Sequence, residues 1–320
     1  MLPPMAIFFP LFALLEDAGF LPRLAFDLDR PLQRCGSCGK QALCMAMGFG
    51  CNAAGVVGSR IVSSPRERLL SVLTNAFVPC NGRFPTLIAL LGMFFAAGAA
   101  ASALSALLLT GLILLSVGMS LAATRLLSAT MLRGLPSAFV LELPPYRRPQ
   151  WGKALLRSLL DRALFVLGRA AAVAAPAGLV LWLLANLRPG GVSLLSLCAG
   201  YLDPLARPLG LDGMILLAFL LGFPANEIVL PILLMGYTAG SSLTPLCGLD
   251  SLRELLVLHG WTWRTAGSVL LFTLFHWPCS TTLLTVRKET GSLKSAALAA
   301  LLPTAAGVLL CLLWTLATAG

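Results

Sequence analysis

The stretch GMILLAFLLGFPANEIVLPILLMG (213–236) decides how the rest of the chain is read. It is long enough to cross a bilayer, which takes about 20 apolar residues. Its centre nevertheless holds Gly222, Pro224, Asn226 and Glu227. Proline lacks the amide proton a helix interior needs, and glycine weakens the helix around it. The apolar run continues to Leu249, so Glu227 is the one charge in 37 residues. A carboxylate in such surroundings is costly and marks a functional group by default. The stretch therefore reads as a membrane helix broken near its middle, with polar groups at the break.

The pattern extends outward. No charge occurs from Phe84 to Thr124 (41 residues), from Thr265 to Val286 (22) or from Ser295 to Gly320 (26). Spans are expected at 84–98, 102–124, 164–187, 213–236, 264–286 and 295–317, with 41–60 and 67–82 apolar but punctuated. Over the 320 residues, 58% are hydrophobic and 11% charged, and mean hydropathy is +0.88. Soluble domains carry about 25% charged residues, so a water-soluble surface, a coiled coil and a disordered chain are excluded. A β-barrel is excluded because the apolar runs are continuous instead of alternating. The fold class is an all-α polytopic membrane protein.

The net charge of +10 does not point to nucleic acid. Eight basic residues fall between Arg125 and Arg169, beside the spans, against Glu142 and Asp161. That excess is the positive-inside signature, so the loop is expected in the cytoplasm, against lipid headgroups. Leucines at 155, 156, 159 and 160, with Arg157 and Arg162, suit an amphipathic surface helix. Arg34 and Lys40 precede the 41–60 segment and Arg60, Arg66 and Arg68 follow it. Basic residues on both sides predict a re-entrant hairpin there. Met1–Leu15 is uncharged but short and lacks a basic leader. It reads as the second half of a helix, as in a split protein, a fragment or a decayed copy.

Internal repetition is the strongest pointer to function. Gly48-Phe49-Gly50-Cys51-Asn52 returns as Gly222-Phe223-Pro224-Ala225-Asn226. Val78-Pro79-Cys80-Asn81 returns as Trp277-Pro278-Cys279-Ser280. Breaks of this kind free backbone groups that lipid cannot satisfy, so they line protein-buried or watery cavities. Interrupted helices paired between two halves point to a transport site. Three breaks offer a thiol (Cys51, Cys80, Cys279), and the fourth offers Asn226 and Glu227. Thiolate with carboxylate and amide oxygen suits a borderline divalent transition metal. His276, three residues before Cys279, and the pair Cys35 and Cys38 are secondary candidates. Without a second such pair, Cys35-x-x-Cys38 is a weak zinc signal.

The wording at these positions resembles the membrane part of the ferrous iron transporter B family. The matching stretches are LEDAGFLPRLAFDLDR (15–30), GFGCN (48–52), PCNGRFP (79–85), FVLELPPYRRP (139–149), GFPANEIVLP (222–231) and LFHWPCSTTLLTVRKETGSLK (274–294). The resemblance implies two pseudo-repeated Gate modules with broken or re-entrant helices, in the bacterial inner membrane. It implies Fe²⁺ uptake into the cytoplasm, with Cys51, Cys80 and Cys279 as gate cysteines. The modules are expected at 1–124 and 164–320, joined by a basic cytoplasmic linker at 125–163. Ala53-Ala54-Gly55 and Cys35-Gly36-Ser37-Cys38 depart from the family wording.

Family members also carry a GTP-binding domain. Here Gly39-Lys40 is followed by Gln41 and Gly152-Lys153 by Ala154, so neither completes a P-loop. The chain is expected to bind no GTP and to be no enzyme. A separate GTP-binding protein, a small FeoA-like subunit or further copies of itself are the expected partners. Two other functions fit the breaks less well: a permease for an organic solute such as a nucleoside, and a non-transporting subunit of a split transporter. An intramembrane hydrolase finds no His-Glu-x-x-His and no Gly-x-Ser-x-Gly.

Overall fold

The computed structural model describes residues 7, 10–12, 14, 15, 18–95, 101–132, 134, 164–187, 193–238 and 248–318. Among these, every regular element is helical. The first half contains α1 (Phe20–Asp27), α2 (Asp29–Arg34), α3 (Lys40–Gly50), α4 (Asn52–Gly58), α5 (Pro65–Thr74), α6 (Phe84–Phe94) and α7 (Ala101–Ala129). The second contains α8 (Leu164–Asn186), α9 (Leu194–Ala206), α10 (Gly213–Leu221), α11 (Val229–Tyr237), α12 (Leu249–Leu258), α13 (Trp263–Phe275), α14 (Ser280–Thr290) and α15 (Leu293–Thr318). The expected start of the chain inside a helix, the linker 135–163 with its amphipathic segment, and Cys247 lie outside the described residues.

Among the described residues, three stretches are long and apolar enough to cross a membrane: Ser102–Ala129, Trp263–Thr290 and Leu293–Thr318. The pair Leu194–Leu209 and Gly213–Leu221, bent by 106°, has the apolar length of a broken span or a re-entrant loop. The chain is thus a multi-pass membrane protein. Leu107, Leu114, Leu309 and Leu316 are exposed along these helices, as side chains facing lipid should be. Two expected spans are corrected in form. Segment 213–236 is two nine-residue helices, α10 and α11, because the chain leaves the helix at Gly222 and re-enters at Val229. Segment 264–286 is broken at His276–Cys279, where Pro278 ends the ladder. In place of a span at 84–98, α6 has 11 residues, short of the bilayer thickness.

The residues form two compact units that interleave along the chain. One holds Met1–Asn81, Leu115–Ala171 and Thr281–Leu302, and the other Gly82–Leu114, Ala172–Ser280 and Pro303–Gly320.

The first unit is built on α3, α4 and α5. Its apolar core joins Val56, Leu70, Val72 and Leu73 to Leu127, Val286, Ala296 and Ala299. A polar seam runs beside it. Gln41 Nε2 donates to the hydroxyls of Thr74 and Thr124, both at 2.9 Å, tying α3 to α5 and α7. Lys40 Nζ donates to Ser63 Oγ at 3.3 Å, so the chain entering α3 meets the chain leaving α4. The two ends of the 41–60 segment therefore lie side by side. Beyond it, Glu289 accepts from Arg60 at 2.6 and 2.8 Å and from Arg68 at 3.0 Å. This explains the Lys-Glu-Thr-Gly-Ser wording at 288–292, since Gly291 then ends the helix at φ 66°.

The second unit repeats the local design of the first at a constant offset of 174 residues. Ala25, Asp29, Gly36, Gly39, Gly48, Phe49 and Asn52 correspond to Ala199, Asp203, Gly210, Gly213, Gly222, Phe223 and Asn226. The geometry repeats with the residues. Asp29 accepts from the Gly39 amide at 2.7 Å and Asp203 from the Gly213 amide at 3.2 Å. The second carboxylate oxygen of each takes a side chain one turn on, Gln33 at 2.5 Å and Arg207 at 2.7 Å. Gly36 and Gly210 turn the chain at φ 84° and 69°, where glycine is favoured. Each aspartate thus latches the tip of a helical hairpin.

Candidate functional site

The breaks arise where one residue leaves the helix. Cys51 sits at φ −159°, ψ 122°, between α3 and α4. Its counterpart Ala225 sits at φ −153°, ψ 118°, after α10. An extended residue inside an apolar helix interrupts the i to i−4 ladder, and the freed groups need other partners.

In the first unit those partners come from the second break. Hydrogen-bond chemistry turns the amide NH2 of Asn52 toward Val78 O and Gly48 O, each at 3.1 Å. Asn75 Nδ2 donates to Asn52 O at 2.8 Å. The structure therefore brings Gly48, Gly50, Cys51 and Asn52 together with the approach to Pro79 and Cys80. Cys80 is buried and Cys51 half-buried.

The second unit does the same with different residues. The Ser280 amide donates to Phe223 O at 2.9 Å, and its hydroxyl to Pro224 O at 3.4 Å. His276 Nε2 lies 3.3 Å from Asn226 Oδ1. Gly222, Pro224, Asn226 and Glu227 are thereby joined to His276, Pro278 and Cys279. Glu227 and Cys279 are half-buried, and Asn226 is buried. A Cβ on Gly82 would lie 3.2 Å from Glu227 Cγ, so the glycine after Asn81 lets the chain pass close over Glu227.

Sequence reasoning missed Arg83. Its side chain is fully buried, and its guanidinium donates to Leu274 O at 2.7 Å and His276 O at 2.8 Å. These are carbonyls at the end of α13, orphaned because the chain turns away before Pro278. A cation at a helix C-terminus also meets the negative end of the helix dipole. The signal was present in PCNGRFP, whose arginine sits directly between two apolar stretches.

The secondary candidates have other duties. His276 Nδ1 faces Thr273 O at 2.9 Å and Phe272 O at 3.1 Å. Cys38 is 2% exposed, and burial together with the neighbouring Glu67 carboxylate pushes its thiol up to about 12. Cys35 is half-buried. Since the thiolate is the reacting form, native Cys38 should resist a maleimide at neutral pH and label only after denaturation. Rapid native labelling in a Cys35→Ser background would show that this loop opens. Among the described residues, no three His, Cys, Asp or Glu side chains gather so as to hold a metal ion. The donors stand singly or in pairs at the breaks.

Comparison with known proteins adds family context. A family described as "Gate: Nucleoside recognition" matches residues 1–94 and 167–293. "Ferrous iron transport protein B C terminus" matches 109–161. The chain is 30% identical over 308 residues to "Fe(2+) transporter FeoB" of Staphylococcus aureus, covering 94% of this chain and 44% of that protein. It is 27% identical to the protein of the same name from Methanocaldococcus jannaschii, covering 90% of this chain and 43% of the relative. A protein of Porphyromonas gingivalis named "Fe(2+) transport protein A/Fe(2+) transporter FeoB fusion protein" is 24% identical, covering 92% and 40%. The chain thus spans less than half the length of these relatives. No solved structure matches. With more than half of its residues in the Gate match and its similarity to FeoB proteins running nearly end to end, the chain belongs to the Gate family and corresponds to the membrane part of ferrous iron transporter B.

Proposed function

We propose that the chain forms a pathway for a divalent transition metal, Fe²⁺ foremost, across the bacterial inner membrane. One observation carries the reading: in each unit two helix breaks are tied together, and each tied pair keeps thiol and oxygen donors beside freed backbone. The names of the relatives support iron as the cargo. Cys51 and Cys80 in the first unit, and Cys279 and Glu227 in the second, are assigned as contacts for the ion in passage. A transport site must release its cargo, so water completes the ion's shell. We take the modules as 1–124 and 164–320 with 125–163 between them; the two Gate matches flanking the C-terminal one support this.

These 320 residues hold no P-loop, and energy coupling is proposed to come from a GTP-binding domain outside them. A small FeoA-like partner is proposed on the strength of the fused relative.

The test is anaerobic ⁵⁵Fe²⁺ uptake by proteoliposomes, with and without a GTP-binding partner. Changing the first-contact thiols Cys51, Cys80 and Cys279 to serine removes the soft donor at nearly constant size. Loss of an outer-sphere partner alone costs about 10–100-fold in metal affinity, so each change should lower uptake by at least about that factor at subsaturating iron. Cys198 on α9 and Cys311, whose thiol meets Ser268 O at 3.4 Å, should tolerate serine. Normal uptake by all three gate variants at equal expression would remove thiol contact from the proposal. Uptake of nucleoside in place of iron would favour the organic-solute reading.

A further inference from the structure

We propose that the rim of the first unit, where the chain leaving α4 meets the end of α14, binds the headgroup of an anionic phospholipid. Arg60, Arg68 and Arg287 supply the charge, and Val57, Ile61 and Leu284 the surface for the acyl chains.

The rim is marked by a change of side-chain type within one helical turn. After α4 the chain stays helical through Ser59–Ile61, so Val57, Arg60 and Ile61 share one face. Val57 and Ile61 are exposed, and the Arg60 side chain is 60% exposed. On α14, Leu284, Arg287 and Lys288 follow the same spacing, and all three are exposed. The bond from Arg60 to Glu289 sets the two elements at one level. The start of α15 repeats the change in reverse, its exposed face running from Lys294 through Ala297 to Leu301. It folds back along α14, since Val286 shares a core with Ala296 and Ala299. An apolar side chain one turn from a cation, repeated on neighbouring elements, belongs where hydrocarbon gives way to headgroups.

The charge at this level is unbalanced and held in place. Glu289, whose side chain is 5% exposed, accepts from Arg60 at 2.6 and 2.8 Å and from Arg68 at 3.0 Å. Two guanidiniums on one carboxylate leave a positive charge over, and Arg287 and Lys288 add to it just before Glu289 in the chain. A guanidinium has five N–H donors in a planar fork that matches phosphate. Glu289 takes two donors from Arg60 and one from Arg68. Arginines fixed in this way lose little side-chain freedom when a further anion arrives. Lys40, bonded to Ser63, and Arg66, bonded to Gly36 O at 3.1 Å, extend the basic end of the unit. This excess assigns the rim to the cytoplasmic leaflet, whose lipids carry the negative charge. An acidic protein would match the cations but not the exposed valine, isoleucine and leucine beside them. An anionic lipid matches both.

The test is native mass spectrometry of the full chain in detergent, with dioleoyl-phosphatidylglycerol and dioleoyl-phosphatidylcholine as probes. Their acyl chains are identical, so a difference reads the headgroup charge. One basic residue near the surface changes affinity for anionic lipid by about 5-fold. The wild-type chain should therefore prefer phosphatidylglycerol by at least that factor. Arg287→Gln, which leaves the Glu289 contacts in place, should lower the preference about 5-fold, and Arg60→Gln at least as much. If Arg60→Gln does not fold, Arg287→Gln carries the comparison alone. Arg207→Gln is the control, because that arginine is 77% exposed but paired one to one with Asp203; it should change neither lipid. Equal affinity for the two lipids overturns the proposal, as does a preference that survives Arg287→Gln or falls equally in Arg207→Gln. Displacement of the lipid by an equal concentration of soluble glycerophosphoglycerol would make the rim a site for any small anion and overturn it too.

Discussion

Gly213→Ala is expected to leave little folded protein, and Gly39→Ala to do the same. A Cβ at Gly213 would lie 1.9 Å from Ala199 O and 2.8 Å from the Asp203 amide nitrogen; one at Gly39 would lie 1.9 Å from Ala25 O. These neighbours are backbone, so they cannot swing aside as a side-chain tip can. Overpacking a core usually costs about 1–3 kcal/mol, and a collision of this depth belongs at or beyond the top of that range. Forcing the hairpin open would also break the hydrogen bond that the glycine N–H donates to Asp29 or Asp203. The measurement is the melting temperature in detergent with ⁵⁵Fe²⁺ uptake alongside. Gly111→Ala and Gly118→Ala on α7 are the controls, since a Cβ there meets nothing within 4 Å. Wild-type melting of Gly213→Ala would mean that α9 and α10 separate easily, against the latch described for them.

Arg83→Met is the second large effect. The substitution keeps an apolar stem but removes the donors to Leu274 O and His276 O. Hydrogen bonds to a charged group contribute about 1.5–3 kcal/mol each. Removing a buried charge also relieves its desolvation, so the net loss should be about 2–4 kcal/mol, below the sum of the two bonds. Arg83→Lys should recover part of it, because an ammonium is a point donor and cannot span two carbonyls as the planar guanidinium does. Uptake should fall with stability, since the carbonyl of His276 and the ring that faces Asn226 share the same turn. Wild-type melting of Arg83→Met would mean that water reaches the end of α13.

The sequence made the breaks legible because each demands residues of restricted kind. Gly48-Phe49 with Asn52, Gly222-Phe223 with Asn226, and the two Pro-Cys pairs stand out against uncharged surroundings. It was less informative about length. Segment 213–236 has the hydropathy of one span, and hydropathy does not register that Ala225 is extended. The latches were hidden for another reason. Asp29 and Asp203 look like ordinary surface charges, and their role shows only when the two halves are aligned at 174 residues. That alignment was available, because Ala, Asp, Gly and Gly recur at 25, 29, 36 and 39 and again at 199, 203, 210 and 213. Arg83 was visible as a cation between two apolar stretches, but no local pattern reveals that its acceptors lie some 190 residues downstream. His276 and Cys38 read as ligand candidates because sequence shows a donor atom and not what that atom already touches.

The spacing of these contacts along the chain sets an order of events during synthesis. Each aspartate latch spans 10 residues, so the first hairpin can close as soon as Gly39 has left the ribosome. The tie between Asn52 and Val78 follows about forty residues later. Arg83 then emerges with none of its acceptors yet made. Its guanidinium must stay in water or among lipid headgroups while nearly two hundred further residues are inserted, because an unpaired charge is not stable in hydrocarbon. Only when α13 arrives can the arginine move inward. The nascent protein therefore carries a built-in checkpoint: chains that stop short of residue 274 should retain an exposed, basic and protease-sensitive segment around 83, and complete chains should lose it.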